Sequence, residues 1–239
     1  MQLYFIRHGQ SQNNARWNGT SYDGPRHSDP ELTAKGVEQA KSVAQFISTD
    51  RREDRFDLHN AFGFGITHIY CSLMVRAIET GTTISNSLAL PLQVWQDIHE
   101  VGGITTEDQE TGEQTGLPGN NRGYIEERFP NLVLPDSLTE DGWWNRPYEE
   151  VEERLPRAQR VLASLIERHG DTDERVVFVS HGGFYNFFFM ALFKLPARDR
   201  FWVAMGNCAI SRFDFFENGS IGMLYSNRTE FLAPNLLGW

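Results

Sequence analysis

Residues 175–192 read RVVFVSHGGFYNFFFMAL. The run Arg175–Ser180 is continuously apolar apart from its ends, the pattern of a strand buried on both faces in the middle of a parallel sheet. His181, Gly182 and Gly183 stop it abruptly, and residues 184–192 then read as a buried helix. Ser180, His181, Gly182, Gly183 and Asn186 interrupt the apolar stretch too often for a membrane span. Just upstream, Val151, Leu155, Ala158, Leu162 and Leu165 repeat at helical spacing. The same alternation extends towards the N-terminus. Residues 2–6 form a β-rich run that ends at Arg7-His8-Gly9. A helix opens at Leu32-Thr33 and is expected to bury Val37, Ala40, Val43, Ala44 and Ile47. Residues 67–71 (THIYC) make a second strand, Ala77, Gly81, Ile84 and Leu88 a second helix, and residues 92–95 (LQVW) a third strand. Towards the C-terminus, residues 209–216 and 220–225 flank Glu217-Asn218-Gly219, a hairpin turn. Strands alternating with helices predict an α/β protein, a three-layer α/β/α arrangement around a mostly parallel sheet. We read residues 1–239 as a single domain with an acidic insertion at about 102–147, after the third strand.

Composition narrows the function classes. The 239 residues are 40% hydrophobic and 23% charged, enough to bury a core. Basic residues number 22 and acidic ones 32, a net charge of -10, which argues against binding nucleic acid or an anionic membrane. Cys71 and Cys208 are too few for a disulfide framework. The N-terminus lacks the pattern of a secretory signal, so a soluble, cytoplasmic protein is expected. The negative charge is concentrated: residues 97–153 hold fifteen acidic side chains against three basic ones. Periodicity is lost over 102–144. Residues 49–56 (TDRREDRF) read as a surface linker, and the apolar stretch 231–239 as a segment that packs on the body or on a partner chain, as in a homodimer.

Open α/β sheets bind ligands at the carboxyl ends of their strands, so the residues that follow each strand are the informative ones. Arg7, His8 and Gly9 follow the first. Ser72 and, one turn into its helix, Arg76 follow the second. His99 and Glu100 follow the third, and His181, Gly182 and Gly183 follow the central strand. Two guanidinium groups and two imidazoles in one crevice attract an anion, and guanidinium forks match phosphate oxygens. Glycines beside the histidines let backbone N–H groups approach. Histidine is a nucleophile near neutral pH, and a carboxylic acid can protonate a leaving oxygen. The set suits phosphoryl transfer with no metal and no cofactor, since the cations present can stabilise the transferred group.

Arg7-His8-Gly9 with Ser11 and Asn14 resembles the RHGxSxxN signature of the histidine phosphatase superfamily, the phosphoglycerate mutase-like fold. Residues 32–36 (LTAKG) resemble its LTxxG helix start, residues 72–80 (SLMVRAIET) its SxxxRAxET segment, and residues 180–183 (SHGG) its second-histidine motif. Four motifs stand in the family's order, three of them at strand ends and one at a helix start. The resemblance implies that His8 becomes phosphohistidine, and that Arg7, Arg76 and His181 form the phosphate pocket. Asn14 and the Gly182 N–H would be further donors, and Glu100 the acid for the leaving group. Ser11 fits a helix N-cap that also helps to hold substrate. Glu107, Glu110 and Glu113 are rivals to Glu100, with Asp97 a weaker one.

The expected function is a metal-independent phosphatase acting on a small phosphomonoester. Two readings compete with it. One is a cofactor-dependent phosphoglycerate mutase, whose branch carries further basic residues to hold a second acidic group. Here no basic residue follows Glu100 until Arg122, and the local negative charge would repel a second anion unless Arg16 or Arg26 compensates. The other is a catalytically silent phosphate-binding protein, which would have lost a core residue. His27, His59, His68, His99 and His169 lack metal-ligand spacing and read as structural. Trp143-Trp144 reads as a pair of buried anchors for the insertion rather than a lid.

Overall fold

A computed structural model describes residues 1–17, 19, 23–24, 26–49, 56–108, 110–196 and 202–238. Most of the charged linker expected at 49–56 therefore lies outside the described residues. The chain folds as β1 (Gln2–Arg7), α1 (Gln12–Ala15), α2 (Ala34–Ile47), β2 (His68–Cys71), α3 (Val75–Leu88) and β3 (Leu92–Val94), then a 3₁₀ turn (Gln96–Ile98). The insertion follows with β4 (Thr105–Glu107), β5 (Gln114–Gly116), α4 (Arg122–Arg128) and β6 (Leu132–Val133). The rest is α5 (Val151–His169), β7 (Arg175–Ser180), α6 (Gly182–Leu192), β8 (Ile210–Phe215), β9 (Ile221–Arg228) and a 3₁₀ turn (Pro234–Leu236).

Seven strands form one sheet in the order β6-β3-β2-β7-β1-β8-β9. The first five run parallel, and β8 and β9 close the sheet antiparallel. The fold is thus the expected α/β/α arrangement. Alternation along the strands divides two cores. Tyr4, Ile6, Ile69, Cys71, Val177 and Val179 face α2 and α3. Leu3, Phe5, Tyr70, Val176 and Phe178 face α5 and α6, where Ala158, Val161, Leu165, Phe184 and Phe188 meet them. The insertion adds β6 to the β3 edge and a separate β4–β5 hairpin. These elements are two to seven residues long, too short for the periodicity that marks the larger ones. Cys71 and Cys208 are buried and form no disulfide. No described helix is long and apolar enough to cross a membrane.

Two helix faces differ from expectation. Val37 is 39% exposed, because α2 turns Gln39 inward instead. The Gln39 side chain accepts from the Gln10 N–H at 2.7 Å and donates to the Leu236 carbonyl at 2.6 Å, so a buried amide with both ends satisfied replaces an apolar contact. Val151, the first residue of α5, is 43% exposed. The C-terminal stretch packs on the body of the chain. Phe231 stacks on Phe46 with ring centroids 4.6 Å apart, Leu232 is buried, and Lys35 donates to the Leu237 carbonyl at 2.8 Å.

One backbone approach places the start of α2 against the turn after β1. Thr33 caps α2 by accepting from the Gly36 N–H at 3.1 Å. A Cβ on Gly36 would lie 2.2 Å from the Gln10 carbonyl oxygen, and one on Gly9 would lie 2.5 Å from the Gly36 carbonyl oxygen. Both obstacles are backbone, so neither can swing aside. Gly36→Ala should destabilise the protein by about 1–3 kcal/mol or more, the usual cost of overpacking. Gly219→Asn, at the hairpin turn where nothing lies within 4 Å, should cost much less. Urea unfolding of the two variants is the check, and an unchanged Gly36→Ala midpoint would refute the close approach.

Candidate active site

β1 and β7 are parallel neighbours with Arg7 level with Ser180. One step beyond, His8 and His181 leave the sheet together, their ring centroids 5.0 Å apart. The His8 N–H bonds the Ser180 carbonyl at 2.9 Å, which locks the two strand ends in step. Arg76, in the first turn of α3 after β2, brings its Nε to 3.2 Å from His8 Nε2. Glu100, after β3, reaches the start of α6: its carboxylate accepts from the Phe184 N–H at 2.9 Å and the Gly183 N–H at 3.2 Å. A Cβ on Gly183 would stand 2.3 Å from Glu100 Oε1, so only glycine lets that carboxylate in.

The protonation of His8 follows from its partners. His8 Nδ1 lies 2.6 Å from the Gly9 carbonyl oxygen, which can only accept. The proton therefore sits on Nδ1, and the Nε2 lone pair takes the Arg76 N–H. His181 Nε2 lies 2.6 Å from Ser72 Oγ, and that oxygen already accepts the Met74 N–H at 3.2 Å. In the tautomer in which Ser72 donates to Nε2, the His181 proton is on Nδ1, a buried atom with no hydrogen-bond partner among the described residues. Burial holds both imidazoles well below the ordinary histidine range, with Arg76 adding to the effect in each. The positive charge of the site is carried by guanidinium groups, not by imidazolium.

Arg7, His8, Ser11, Asn14, Arg76, Glu100 and Gly182 line one cleft of about 840 Å³. His181 is fully buried beneath it. Ser11 caps α1 and exchanges hydrogen bonds with Asn14, whose Oδ1 also takes Asn207 Nδ2 at 3.3 Å. Of the rival carboxylates, Glu107 reaches the cleft wall, whereas Glu110, Glu113 and Asp97 are absent from it. The insertion is seated by Trp143 and Trp144, both buried, with Trp144 4.8 Å from the His99 ring and Arg146 3.9 Å over its own face. They are anchors, as expected.

Three features escape sequence reasoning. First, Arg157 on α5 is buried and pairs twice with Glu149, at 2.5 and 2.8 Å. The same guanidinium donates to the carbonyls of Asp97 and His99 at 2.7 and 3.0 Å, while Glu149 receives the Gly102 N–H at 3.3 Å. The pair thus grips the chain on both sides of Glu100. Second, Arg154 joins Arg7 and Arg76 on the cleft wall against Glu100 and Glu107, and so does Arg26, which the sequence offered with Arg16 as a compensating cation. The cleft is cationic although the surrounding segment is acidic, so the expected repulsion of a second anion does not describe the wall itself. Part of that acidity is spent on contacts elsewhere: Glu149 on Arg157, Glu126 on Arg122, and Glu140 on the Gly123 N–H.

Third, Asp29 lies behind Arg76. Its Oδ1 is 3.7 Å from Arg76 Nη1 and accepts the Val75 N–H at 3.1 Å, and its Oδ2 takes Asn120 Nδ2 at 3.0 Å. Burial outweighs the attraction of Arg76 and pushes Asp29 up to about 6. An acid raised on folding stabilises the native state while protonated, and loses that contribution as pH rises from its unfolded value through 6. Asp29→Asn should therefore gain stability relative to the parent protein between pH 4 and pH 7, on the order of 2–3 kcal/mol. Denaturant titrations at the two pH values are the check; a constant difference would remove Asp29 from this role.

The profile of the histidine phosphatase superfamily (branch 1) matches residues 3–227. Curated relatives include a probable phosphoglycerate mutase GpmB of Enterobacter sp. (strain 638), 27% identical over 229 residues and covering 91% of this chain and 86% of the relative. Its counterpart from Citrobacter koseri is 27% identical over 220 residues with the same coverage. Solved structures of similar fold include a phosphoserine phosphatase variant from Entamoeba histolytica bound to phosphoserine, with a TM-score of 0.61, 20% identity and coverage of 97% and 99% of the two chains. A mycobacterial glucosyl-3-phosphoglycerate phosphatase gives a TM-score of 0.59, 18% identity and coverage of 95% and 99%. With the family profile spanning nearly the whole chain, this protein belongs to branch 1 of the histidine phosphatase superfamily.

Proposed function

We propose that the protein is a phosphatase that hydrolyses a small phosphomonoester through a phosphohistidine at His8. The observation that carries the reading is His8 itself: a neutral imidazole whose Nδ1–H donates to the Gly9 carbonyl and whose lone pair at Nε2 faces Arg76. Phosphate enters between Arg7 and Arg76, whose guanidinium groups neutralise it. Asn14 and the Gly182 N–H serve as further donors beside the pocket. His181 Nδ1–H, short of a partner, donates to a phosphate oxygen. Nε2 then attacks phosphorus, the ester P–O bond breaks, and Glu100 supplies the proton to the leaving oxygen. In the second half, Glu100 takes a proton from water, the water oxygen attacks phosphorus, and the N–P bond breaks to release phosphate. Ser11 acts by holding Asn14.

The structural neighbours named as phosphatases support hydrolysis, and the curated relatives named as probable mutases keep the transferase reading in view. One observation bears on it. Arg26 and Arg154 on the wall supply charge for a second anionic group, so substrates with a carboxylate or second phosphate near the ester suit this cleft.

His8→Ala should abolish turnover of an aryl phosphate and leave the fold intact, since His8 caps a strand end. Brief exposure to substrate should label His8 with an acid-labile phosphoryl group; an adduct on Ser11 would refute the assignment. Activity should survive exhaustive chelation and yield to vanadate, whereas rescue of a chelated, dead enzyme by magnesium would overturn metal independence.

Glu100→Gln should slow alkyl phosphates by ~10²–10⁴ and spare nitrophenyl phosphate, whose leaving group departs without a proton. Equal losses would shift the role to Glu107. To separate hydrolase from mutase, 3-phosphoglycerate is incubated with a trace of 2,3-bisphosphoglycerate. Phosphate release should outpace isomerisation, and the reverse ranking would make the protein a mutase.

A further inference from the structure

At the opposite edge of the sheet, three side chains that the proposed chemistry does not use converge. His68 opens β2, Glu174 immediately precedes β7, and His169 ends α5. β2 and β7 are parallel neighbours, with His68 level with Val176, so the two strand starts set His68 and Glu174 side by side. The two-residue period of β2 puts Tyr70 on the same face as His68. That face lies under the end of α5, and the Tyr70 hydroxyl stands 3.1 Å from His169 Nε2.

The polar contacts have a direction. His169 Nδ1 lies 2.6 Å from Glu174 Oε2, and His68 Nε2 lies 3.7 Å from Glu174 Oε1. The far nitrogen of each ring is held by a hydroxyl: His169 Nε2 by Tyr70, and His68 Nδ1 by Thr67 Oγ1 at 3.0 Å. Thr172 Oγ1 steadies the carboxylate at 3.1 Å. The hydrogen bond from His169 holds Glu174 below the ordinary carboxylate range, so it is an anion at neutral pH. A simple cap on the end of α5 would need only His169 and Glu174. It does not explain a second imidazole, from a different element, directed at the other oxygen of the same carboxylate.

Two imidazole nitrogens and one carboxylate are the donor set of open zinc sites, and ligating histidines characteristically have the remote nitrogen pinned by a second hydrogen bond. One donor atom of each residue lies within 4.8 Å of the others. Around an ion with bonds of ~2.1 Å such donors lie ~3.4 Å apart, a closure that the partly exposed side chains of His68 and Glu174 can make. We propose that His68, His169 and Glu174 form a binding site for a divalent transition-metal ion of the zinc class, with solvent in the fourth position. On binding at Nδ1 the His169 ring changes tautomer: the proton it holds towards Glu174 leaves Nδ1 and Nε2 takes one up, so that Nε2–H donates to the Tyr70 oxygen. Seven residues of extended chain, roughly 20 Å, separate Glu174 from His181, so the ion would brace the base of the sheet and not enter the reaction.

The test uses the whole protein, stripped with chelator and exchanged into phosphate-free buffer. Calorimetry with Zn²⁺ should show one saturable site, and Co²⁺ should give visible d–d bands that Zn²⁺ abolishes. Zn²⁺ should also raise the thermal midpoint. His68→Ala, at a half-buried strand start, should fold normally and bind at least tenfold more weakly, as should Glu174→Gln. Turnover of an aryl phosphate should respond neither to the metal nor to His68→Ala. Absence of saturable uptake, or equal affinity in the parent protein and His68→Ala, would overturn the proposal.

Discussion

The parallel register of β1 with β7 is the constraint on which the site depends. Arg7 is level with Ser180, so two histidines from residues far apart in the chain leave the sheet at the same height and side by side. A slip of one residue would turn each strand's side chains to the opposite face, destroying both cores and separating the two rings. The packing that segregates Leu3 and Phe5 from Tyr4 and Ile6 is therefore also what aims the site. Fold stability and site geometry rest on the same set of side chains.

The other half of the cleft is held differently. Glu100 lies beyond the last residue of β3, where no ladder of hydrogen bonds continues. Arg157 and Glu149 substitute for one, binding the carbonyls of Asp97 and His99 and the N–H of Gly102. An ion pair this deeply buried gains little stability over an apolar replacement, but a partner left alone is costly. Its value is positional, because the guanidinium fixes two loop carbonyls and the carboxylate one loop N–H that no sheet neighbour reaches. The α6 N-terminus completes the grip through Gly183 and Phe184.

Much of this was legible in the residues. Arg7, His8, His181 and Gly182 stand where apolar runs stop abruptly, and strand ends are where such a sheet collects its ligands. Arg76 could be read from its place one turn after β2. Glu100 was harder to separate from its rivals because residues 102–113 have no period, and only the fold shows that Glu110 and Glu113 do not line the cleft. Asp29, Arg154 and Arg157 carried no local signal at all. Each acquires its meaning from partners more than forty residues away or from a helix face whose neighbours the sequence does not name, apart from the Arg157–Glu149 pair, which is hidden in an acidic run. Val37 was misread for a related reason: a buried glutamine with both ends satisfied looks polar in sequence and behaves as core.

The two-residue strand β6 has a consequence beyond the cleft. The same insertion that carries one wall of the site returns Leu132 and Val133 to the open side of β3, and Arg128 ties it down through Glu31 and Glu79. An uncovered β3 would present a row of unpaired backbone groups, the template on which a second chain can add a strand. A strand as short as β6 offers little for such an addition. The segment that carries one wall of the cleft is thus also the guard against edge-to-edge aggregation, and trimming it to widen the cleft would cost solubility.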